Sequence, residues 1–461
     1  MGANDLMESL MRLRANLPLV AAAVLWLSAC GDSGVAPTAT APISPPPPPP
    51  TVTPPATAEP KACAPYTGPA LAGLTHYEGL MHEHSSYSDG DPTKIPADYF
   101  QAAVDAGYSF VGSAEHSDTY DSGVYFTLAE GCIESPDGFL SCFANPSVDK
   151  LQKWISTAEQ ARIANSTHMG RFLGIRGFEW TSDIFGHINV YFSQNFSNAK
   201  VDGGYATMET FWDWFTRDPN TPGVGGSPTA PVPMGGGSDA LAHFNHPGDK
   251  CQTENDPTGT ANGLCDWNSY ALVPEAVERM FGMELYNDGN RNDQYHPFYV
   301  RALDAGWKLA PIGSEDEHFG EYAVEHRPKT VTVAGALTED GFREAWLARR
   351  VYALSPGIHL RATLLADQDH PMGSTLRCAP ESSVPLEVSL KETDGRAFSG
   401  EYRLYSNGSA EPIATQSGER ARFALTAPRS GEPARWYYVR VHGGAENQSV
   451  AYLAPVWVEA Q

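Results

Sequence analysis

The stretch Leu80-Met81-His82-Glu83-His84-Ser85-Ser86-Tyr87-Ser88-Asp89-Gly90 governs how the rest of this chain is read. On a β-strand, residues two apart point to one side, so His82 and His84 can reach the same ion. Asp89 falls on the loop that follows, where its carboxylate can join a neighbouring metal. Paired histidines also occur in ordinary cores and on ordinary surfaces, so the segment gains its meaning from what lies elsewhere.

Four further segments supply the same residue types. Ala114-Glu115-His116-Ser117-Asp118 directly follows a strand expected over 108–113. Gly177-Phe178-Glu179-Trp180-Thr181 is followed by Gly186-His187-Ile188-Asn189, as across a hairpin, and a carboxylate such as Glu179 can bridge two cations through its two oxygens. His243-Phe244-Asn245-His246-Pro247 offers two imidazoles, with His246 expected in an extended conformation because Pro247 follows it. Gly313-Ser314-Glu315-Asp316-Glu317-His318 closes the series, and Asp316 with His318 repeats the two-apart spacing. Each segment sits at an expected strand end, and together they carry the mixture of His, Asp and Glu that divalent metals accept.

Around these segments, short β-rich runs at 108–113, 172–178, 187–192, 283–286 and 309–312 alternate with helical spacing at 96–106, 148–164, 208–215 and 297–305. Such alternation predicts an α/β architecture, with a barrel as one form of it, and chemistry at the C-terminal ends of the strands. After residue 358 the texture changes. Alternating runs at 386–390, 401–405, 422–425 and 437–442 are separated by Gly, Ser, Asn and Pro, which predicts a small antiparallel β-sandwich. The Gly/Pro-rich stretch 222–237 reads as a surface excursion.

The order of the segments, as well as their composition, resembles the PHP superfamily (polymerase and histidinol phosphatase). The matching pieces are His82-x-His84 with Ser88-Asp89-Gly90, then Glu115-His116, Glu179, His187, His246-Pro247 and a final Asp316-x-His318. The likeness covers residues 77–357, and 327–357, with Arg349-Arg350-Val351-Tyr352-Ala353, further resembles a branch containing carbamate and aryl-ester hydrolases. The resemblance implies a distorted (β/α)7-type barrel holding up to three divalent ions. By matching position, His82, His84, Glu179 and Asp316 would hold a first ion. Glu179 would bridge to a second, completed by His187 and His246, and Asp89, His116 and His318 would hold a third. Two departures stand out: Glu115 replaces an Asp common in the family, and Glu315 is inserted between Ser314 and Asp316, leaving Glu315 as the alternative to Asp316. His243 is a possible substitute for His246.

The N-terminus reads as an address. Arg12 and Arg14 precede an apolar run over 17–27, followed by Ser28, Ala29 and Cys30. That describes a secretory signal, too short for a membrane span of about 20 residues. Leu27-Ser28-Ala29-Cys30 resembles a bacterial lipobox, which implies a lipidated Cys30, attachment to a membrane, and export to the periplasm or cell exterior. The expected organisation is a signal over 1–29, a Pro/Thr-rich spacer over 30–69, a metallohydrolase domain over 70–358 and a β-sandwich over 359–461. The spacer includes an unbroken proline run, which favours extended polyproline II. Six cysteines follow Cys30, an even number that suits disulfides in an exported chain. Proximity pairs Cys132 with Cys142 and Cys251 with Cys265, leaving Cys63 for Cys378.

The formal charge of −24 over 461 residues argues against a nucleic-acid partner, whose phosphates are met by clustered Lys and Arg. No Gly-x-Ser-x-Gly nucleophile elbow is found. The chemistry expected is therefore hydrolysis by a metal-bridged hydroxide, helped by two or three Zn, Mn or Fe ions. Leaving-group protonation falls to His243, Glu115 or Asp118. A phosphoester of a small molecule is the first-choice substrate, and a carbamate or carboxyl ester the second. A phosphatase also needs a cationic side chain at the pocket, for which Arg176, Arg291 and Arg327 are candidates. The remaining readings are a non-catalytic metal-binding surface or sensor protein, and an amidohydrolase-type barrel. The latter usually carries a mid-barrel bridging lysine, where this chain has Glu179.

Overall fold

The computed structural model describes residues 61–120, 133–134, 140–141, 152–201, 204–223, 235–249, 265–288, 293–444 and 447–461. The N-terminal signal, Cys30 and most of the expected spacer lie outside these residues, as do Cys132, Cys142, Cys251, Arg291 and most of the 222–237 excursion. No helix among the described residues is long and apolar enough to cross a membrane.

Strands and helices alternate through the first part: β1 Thr75–Glu83, α1 Pro96–Ala106, β2 Phe110–Ser113, α2 Gln152–Thr167, β3 Leu173–Ile175, β4 Gly177–Ser182, β5 Gly186–Tyr191, α3 Met208–Thr216, β6 Leu241–Phe244, β7 Met280–Asn287, α4 His296–Asp304, β8 Ala310–Ser314, β9 Lys329–Ala334, α5 Glu339–Leu347 and β10 Val351–Leu354. The helix ends follow from local chemistry. Pro96 opens α1, where its missing N–H costs nothing, Asp98 Oδ2 accepts from the Ile95 N–H at 2.7 Å, and Gly107 ends the helix at φ 84. The Thr207 and Thr338 hydroxyls cap α3 and α5 by accepting from Thr210 N and Gly341 N.

The architecture is mixed α/β. In one large sheet β1 pairs in parallel with β2, and β2 with β3, while β9 runs antiparallel to β1. A second, five-stranded sheet has the order β8-β7-β6-β5-β4, parallel from β8 to β6 and antiparallel from β6 to β4. The two sheets approach each other at two seams. At one, Gly177 N donates to Ser113 Oγ at 2.9 Å; at the other, Thr330 Oγ1 accepts from Gly313 N at 3.0 Å and donates to Gly313 O at 2.7 Å. Both glycines are needed for that approach, since a Cβ on either would lie 2.5 Å from a backbone oxygen, Ser113 O or Lys329 O. Hydroxyl side chains thus complete the hydrogen bonding where no strand ladder continues. These seams bring the C-terminal ends of β1, β2, β7 and β8 to the same place as Glu179 and His187.

The C-terminal part is all β: β11 Leu360–Ala366, β12 Thr375–Cys378, β13 Ser383–Glu392, β14 Gly400–Ser406, β15 Arg420–Thr426, β16 Arg435–Gly443, β17 Gln448–Leu453 and β18 Val456–Ala460. Strands β11, β13 and β15 pair antiparallel, and their side chains alternate between buried and exposed, as the sequence alternation predicts. Strand β10 pairs antiparallel with β17, so one sheet runs through both sides of residue 358, in the order β12-β18-β16-β17-β10-β9-β1-β2-β3. Cys63 is bonded to Cys378, the pairing that proximity left over, and Asp367 reinforces the tie by accepting from Ala62 N and Cys63 N at 3.1 and 2.9 Å.

Candidate metal centre

His82 and His84 leave the end of β1 on one side, fully buried. Glu179 stands at the centre of the cluster. Its Oε1 lies 3.2 Å from His82 Nε2, 3.0 Å from His187 Nδ1 and 3.4 Å from His246 Nε2, and its Oε2 lies 2.7 Å from His116 Nδ1. Asp316 Oδ1 is 3.4 Å from His82 Nε2 and 3.2 Å from His84 Nε2. Asp89 Oδ1 is 3.3 Å from both His116 Nε2 and His318 Nε2. Donor atoms close enough to share an ion therefore fall into four overlapping groups: His84, Asp89, His116 and His318; His82, His84 and Glu179; His82, His246 and Asp316; His116, Glu179 and His187. All nine side chains that the sequence singles out as ligands are brought together.

Four buried atoms in this cluster have no hydrogen-bond partner: His82 Nε2, His84 Nε2, His187 Nε2 and Glu179 Oε2. Glu179 Oε2 approaches His116 Nδ1 closely yet without hydrogen-bond geometry, the arrangement of two donors facing a shared third body. Buried polar atoms are rarely left unpaired, and imidazole with carboxylate is a donor set for divalent cations. The residues fit such ions.

The proton on the far side of each ring is fixed by what lies behind it. His82 Nδ1 is 2.7 Å from Glu284 Oε1, so in the neutral ring Nδ1 carries the proton and Nε2 turns its lone pair into the cluster. His84 Nδ1 is 3.3 Å from Ser88 Oγ, and Ser88 in turn donates to Glu115 Oε2 at 2.6 Å, which sets the same tautomer. Carboxylates behind a ligating histidine orient the ring and raise its basicity. Glu115 also accepts from Ser85 N and Ser85 Oγ at 3.0 and 2.5 Å, so its oxygens are engaged in holding the 85–88 loop.

Glu284 is the residue that the sequence reading missed. It is fully buried, and it accepts from His82 Nδ1, Ser314 Oγ at 2.6 Å, His246 N at 2.8 Å and Asn287 Nδ2 at 2.9 Å. The available signal was a lone acid inside the apolar run Met283-Glu284-Leu285 of β7, since an unpaired carboxylate is almost never fully buried. Asn245 is a second omission: its Nδ2 donates to Glu179 Oε1 at 2.7 Å.

Three expectations are corrected in detail. His246 is not extended: its backbone has φ 24, held by the bond from its N–H to Glu284, which outweighs the preference imposed by Pro247. Asp316, the residue chosen in the sequence, is the one that joins the cluster, while the alternative Glu315 accepts from Ala323 N through Oε2 at 2.8 Å; what differs is how Asp316 is aimed. Asp316 itself has φ 51, so a turn rather than strand alternation aims Asp316 and His318 inwards. His243 belongs to no ligand group. It is buried against Tyr191 and Phe281, with Nε2 3.2 Å from the Tyr191 hydroxyl and burial pushing its pKa down to about 4. The Asp118 side chain lies outside the description. Of the cationic candidates, Arg327 is engaged by Glu317 at 2.9 Å and by Asp288, and Arg176 lies at the opposite end of β4 from the hairpin tip.

Electrostatics sort the donors into proton holders and lone-pair donors. Burial drives His84 down to about 3, with His318 and His116 beside it adding to the effect. At His82 burial acts in the same sense but is outweighed by Asp316, Glu284 and Glu179, which hold the ring well above its ordinary value. His116 is likewise raised against burial, by Glu179 and Asp89. Glu179 is held well below its ordinary value although burial opposes this, because His187, His116 and His82 surround it. Without metal, the cluster retains its carboxylates as anions by sharing protons among imidazoles. A divalent cation does the same work with more charge.

Exposure across the cluster is uneven. Asp89 keeps 54% of its side chain exposed and His318 27%, whereas those of His82, His84 and Glu179 are wholly covered. Phe319, 79% exposed, stands beside His318 at this opening.

No family model matches the chain, and no curated protein matches it. Among solved structures, the chain is similar to a two-domain protein from Bacteroides vulgatus containing a predicted PHP-like metal-dependent phosphoesterase. The identity is 17% over 84% of this chain and 97% of that one, with a TM-score of 0.41. A likeness of that degree assigns neither fold nor activity to this chain.

Proposed function

We propose that this protein is a metal-dependent hydrolase of the PHP type, acting on a phosphoester of a small molecule. The observation that carries the reading is the set of unpartnered, buried ligand atoms on His82, His84, His187 and Glu179, with a solvent-facing edge at Asp89 and His318. A purely structural metal site has closed coordination, whereas a catalytic one keeps a position open. In this reading the two sheets form the distorted (β/α)7-type barrel of that superfamily, and the C-terminal strands form a β-sandwich.

His82, His84, Glu179 and Asp316 would hold one ion, Glu179, His187 and His246 a second, and Asp89, His116 and His318 a third, with Zn, Mn or Fe as the metal. When bound, such ions would supply a water acidified towards a pKa of about 7 and polarise the phosphoryl or carbonyl oxygen, making the phosphorus or carbon that bears it open to attack. The chain's own work is positional. Glu284 and Ser88 fix the tautomers of His82 and His84, Asn245 anchors Glu179, and the exposed edge admits substrate. The carboxylates Asp89, Glu179, Asp316 and Glu284 set the charge: three divalent ions leave the site net positive, which suits a phosphate anion.

A carbamate or carboxyl ester is the second reading, favoured by one observation. Arg327 is already neutralised by Glu317 and Asp288, so it is not free to clamp a phosphate. Assay of the metal-loaded protein on aryl phosphates, phosphodiesters and aryl carbamates separates the two. Turnover of none of them, with metal bound, supports the non-catalytic metal-binding reading instead. The proposed setting is an exported bacterial lipoprotein, tethered through Cys30 and facing the periplasm or cell exterior, with domains at 70–358 and 359–461.

A further inference from the structure

Arg176 immediately precedes β4, at the end away from the hairpin tip and His187, and the donor groups of the metal centre do not include it. The centre of its guanidinium lies over the Trp154 ring, 3.6 Å from the centroid, and its Nη2 donates to Ser193 O at 2.8 Å. Among the described residues no carboxylate pairs with it, and burial lowers its pKa. Guanidinium groups withdrawn from water are normally paired; a cation–π contact compensates for only part of the lost hydration. Arg176 faces a cavity of about 300 Å³ that Ser193, Gln194, Phe192, Ile175 and Asn165 also line. Ser193 is 2% exposed, and its hydroxyl has no hydrogen-bond partner. The chain reaches Ser193 through Phe192 at φ 64, a conformation that bulky side chains rarely adopt.

We propose that this cavity is a second ligand site, distinct from the metal centre, that takes a small organic monocarboxylate. One Nη2 hydrogen is given to Ser193 O; the other, with a neighbouring N–H of the same guanidinium, leaves one two-donor edge to receive a planar two-oxygen acceptor, and the Ser193 hydroxyl supplies a further donor. Ile175, Phe192, Ala158 and Ala161 offer the hydrocarbon body of such an acid an apolar wall. Arg162, which also lines the cavity, is engaged by Glu159, so Arg176 alone is left to balance one negative charge. Glu339, exposed at the rim, disfavours a dianion such as phosphate.

The test is isothermal titration of benzoate into the full, metal-loaded chain, with the same titration into Arg176→Gln, Arg176→Lys, Ser193→Ala and His84→Ala. The expected result is saturable one-to-one binding, weakened at least about tenfold by Arg176→Gln and reduced by Ser193→Ala. Arg176→Lys, which keeps the charge but loses the fork, should fold normally and still bind more weakly than wild type. His84→Ala should leave binding unchanged, and inorganic phosphate should not compete. Absence of saturable binding overturns the proposal. So does binding that survives Arg176→Gln, binding lost with His84→Ala, or displacement of benzoate by phosphate.

Discussion

Replacing Glu284 by Gln keeps the shape of a buried side chain and removes its charge, and the structure dictates how the site responds. Oε1 accepts from His82 Nδ1 at 2.7 Å and Ser314 Oγ at 2.6 Å, and Oε2 from His246 N at 2.8 Å and Asn287 Nδ2 at 2.9 Å. All four partners are donors, so the new amide NH2 must face two of them in either orientation. If it faces His246 N and Asn287 Nδ2, two buried donors lose their acceptor, costing about 1–3 kcal/mol each. If it faces Ser314 and His82, the hydroxyl can rotate and the imidazole can change tautomer, so the folding cost is smaller, about 1–2 kcal/mol. The second orientation wins, and it places the His82 proton on Nε2, the atom that must ligate. Glu284→Gln should therefore fold with a modest stability loss and bind metal about 10- to 100-fold more weakly. Urea unfolding of the metal-free proteins gives the first quantity, and competition with a chromogenic chelator the second. A variant that binds metal as tightly as wild type, or one that fails mainly by unfolding, refutes this tautomer reasoning.

Other consequences can be measured in the same way. The rings of His82, His116, His246 and His318 are raised against burial by neighbouring carboxylates. In metal-free protein they stabilise the fold below the unfolded histidine value of about 6.5, and this contribution disappears as pH rises through their higher folded values. Chelated protein should therefore lose stability from neutral to alkaline pH, while metal uptake releases protons and tightens over the same range; calorimetry in buffers of different ionisation enthalpy checks this, and uptake without proton release contradicts it. His243→Asn should leave metal content unchanged and cost about 1–3 kcal/mol of stability, because His243 packs in the core; a metal-depleted variant would show that His243 ligates after all. Cys63→Ala with Cys378→Ala should lower stability by about 2–5 kcal/mol without altering metal stoichiometry, as read by unfolding and elemental analysis. Phe319→Ala should raise KM for aryl esters more than for methyl esters, since the ring stands at the opening; equal effects on both would remove it from substrate recognition.

The cluster was legible because metal chemistry restricts residue type and because strand ends collect side chains from remote parts of a chain. His82, His84, Asp89, His116, Glu179, His187, His246, Asp316 and His318 could be named from spacing and family likeness together. The supporting layer was harder to see. Glu284 shows as one acidic letter in an apolar strand, and its role depends on a pairing across to His82 that no local pattern encodes. The backbone at His246 and Asp316 departs from the local expectation for a related reason: proline and strand rules describe local preference, whereas the bond from His246 N to Glu284 is a tertiary force. The seam role of Ser113, Gly177, Gly313 and Thr330 has no local signature, because a seam between two sheets leaves only small and hydroxylated residues as its trace. The alternating strands after residue 358 were readable from period-two burial, but the pairing of β10 with β17 was not, since register between distant strands depends on the whole sheet.

The central claim is that these imidazoles and carboxylates act together as a cage for divalent cations. Elemental analysis of the purified protein beside Glu179→Ala tests it most directly. The account predicts two or three divalent ions per chain in the wild type and a clear loss in the variant, which removes the carboxylate common to two of the sites. A wild-type protein that stays free of metal when offered Zn, Mn and Fe, or a Glu179→Ala protein with undiminished content, would contradict it.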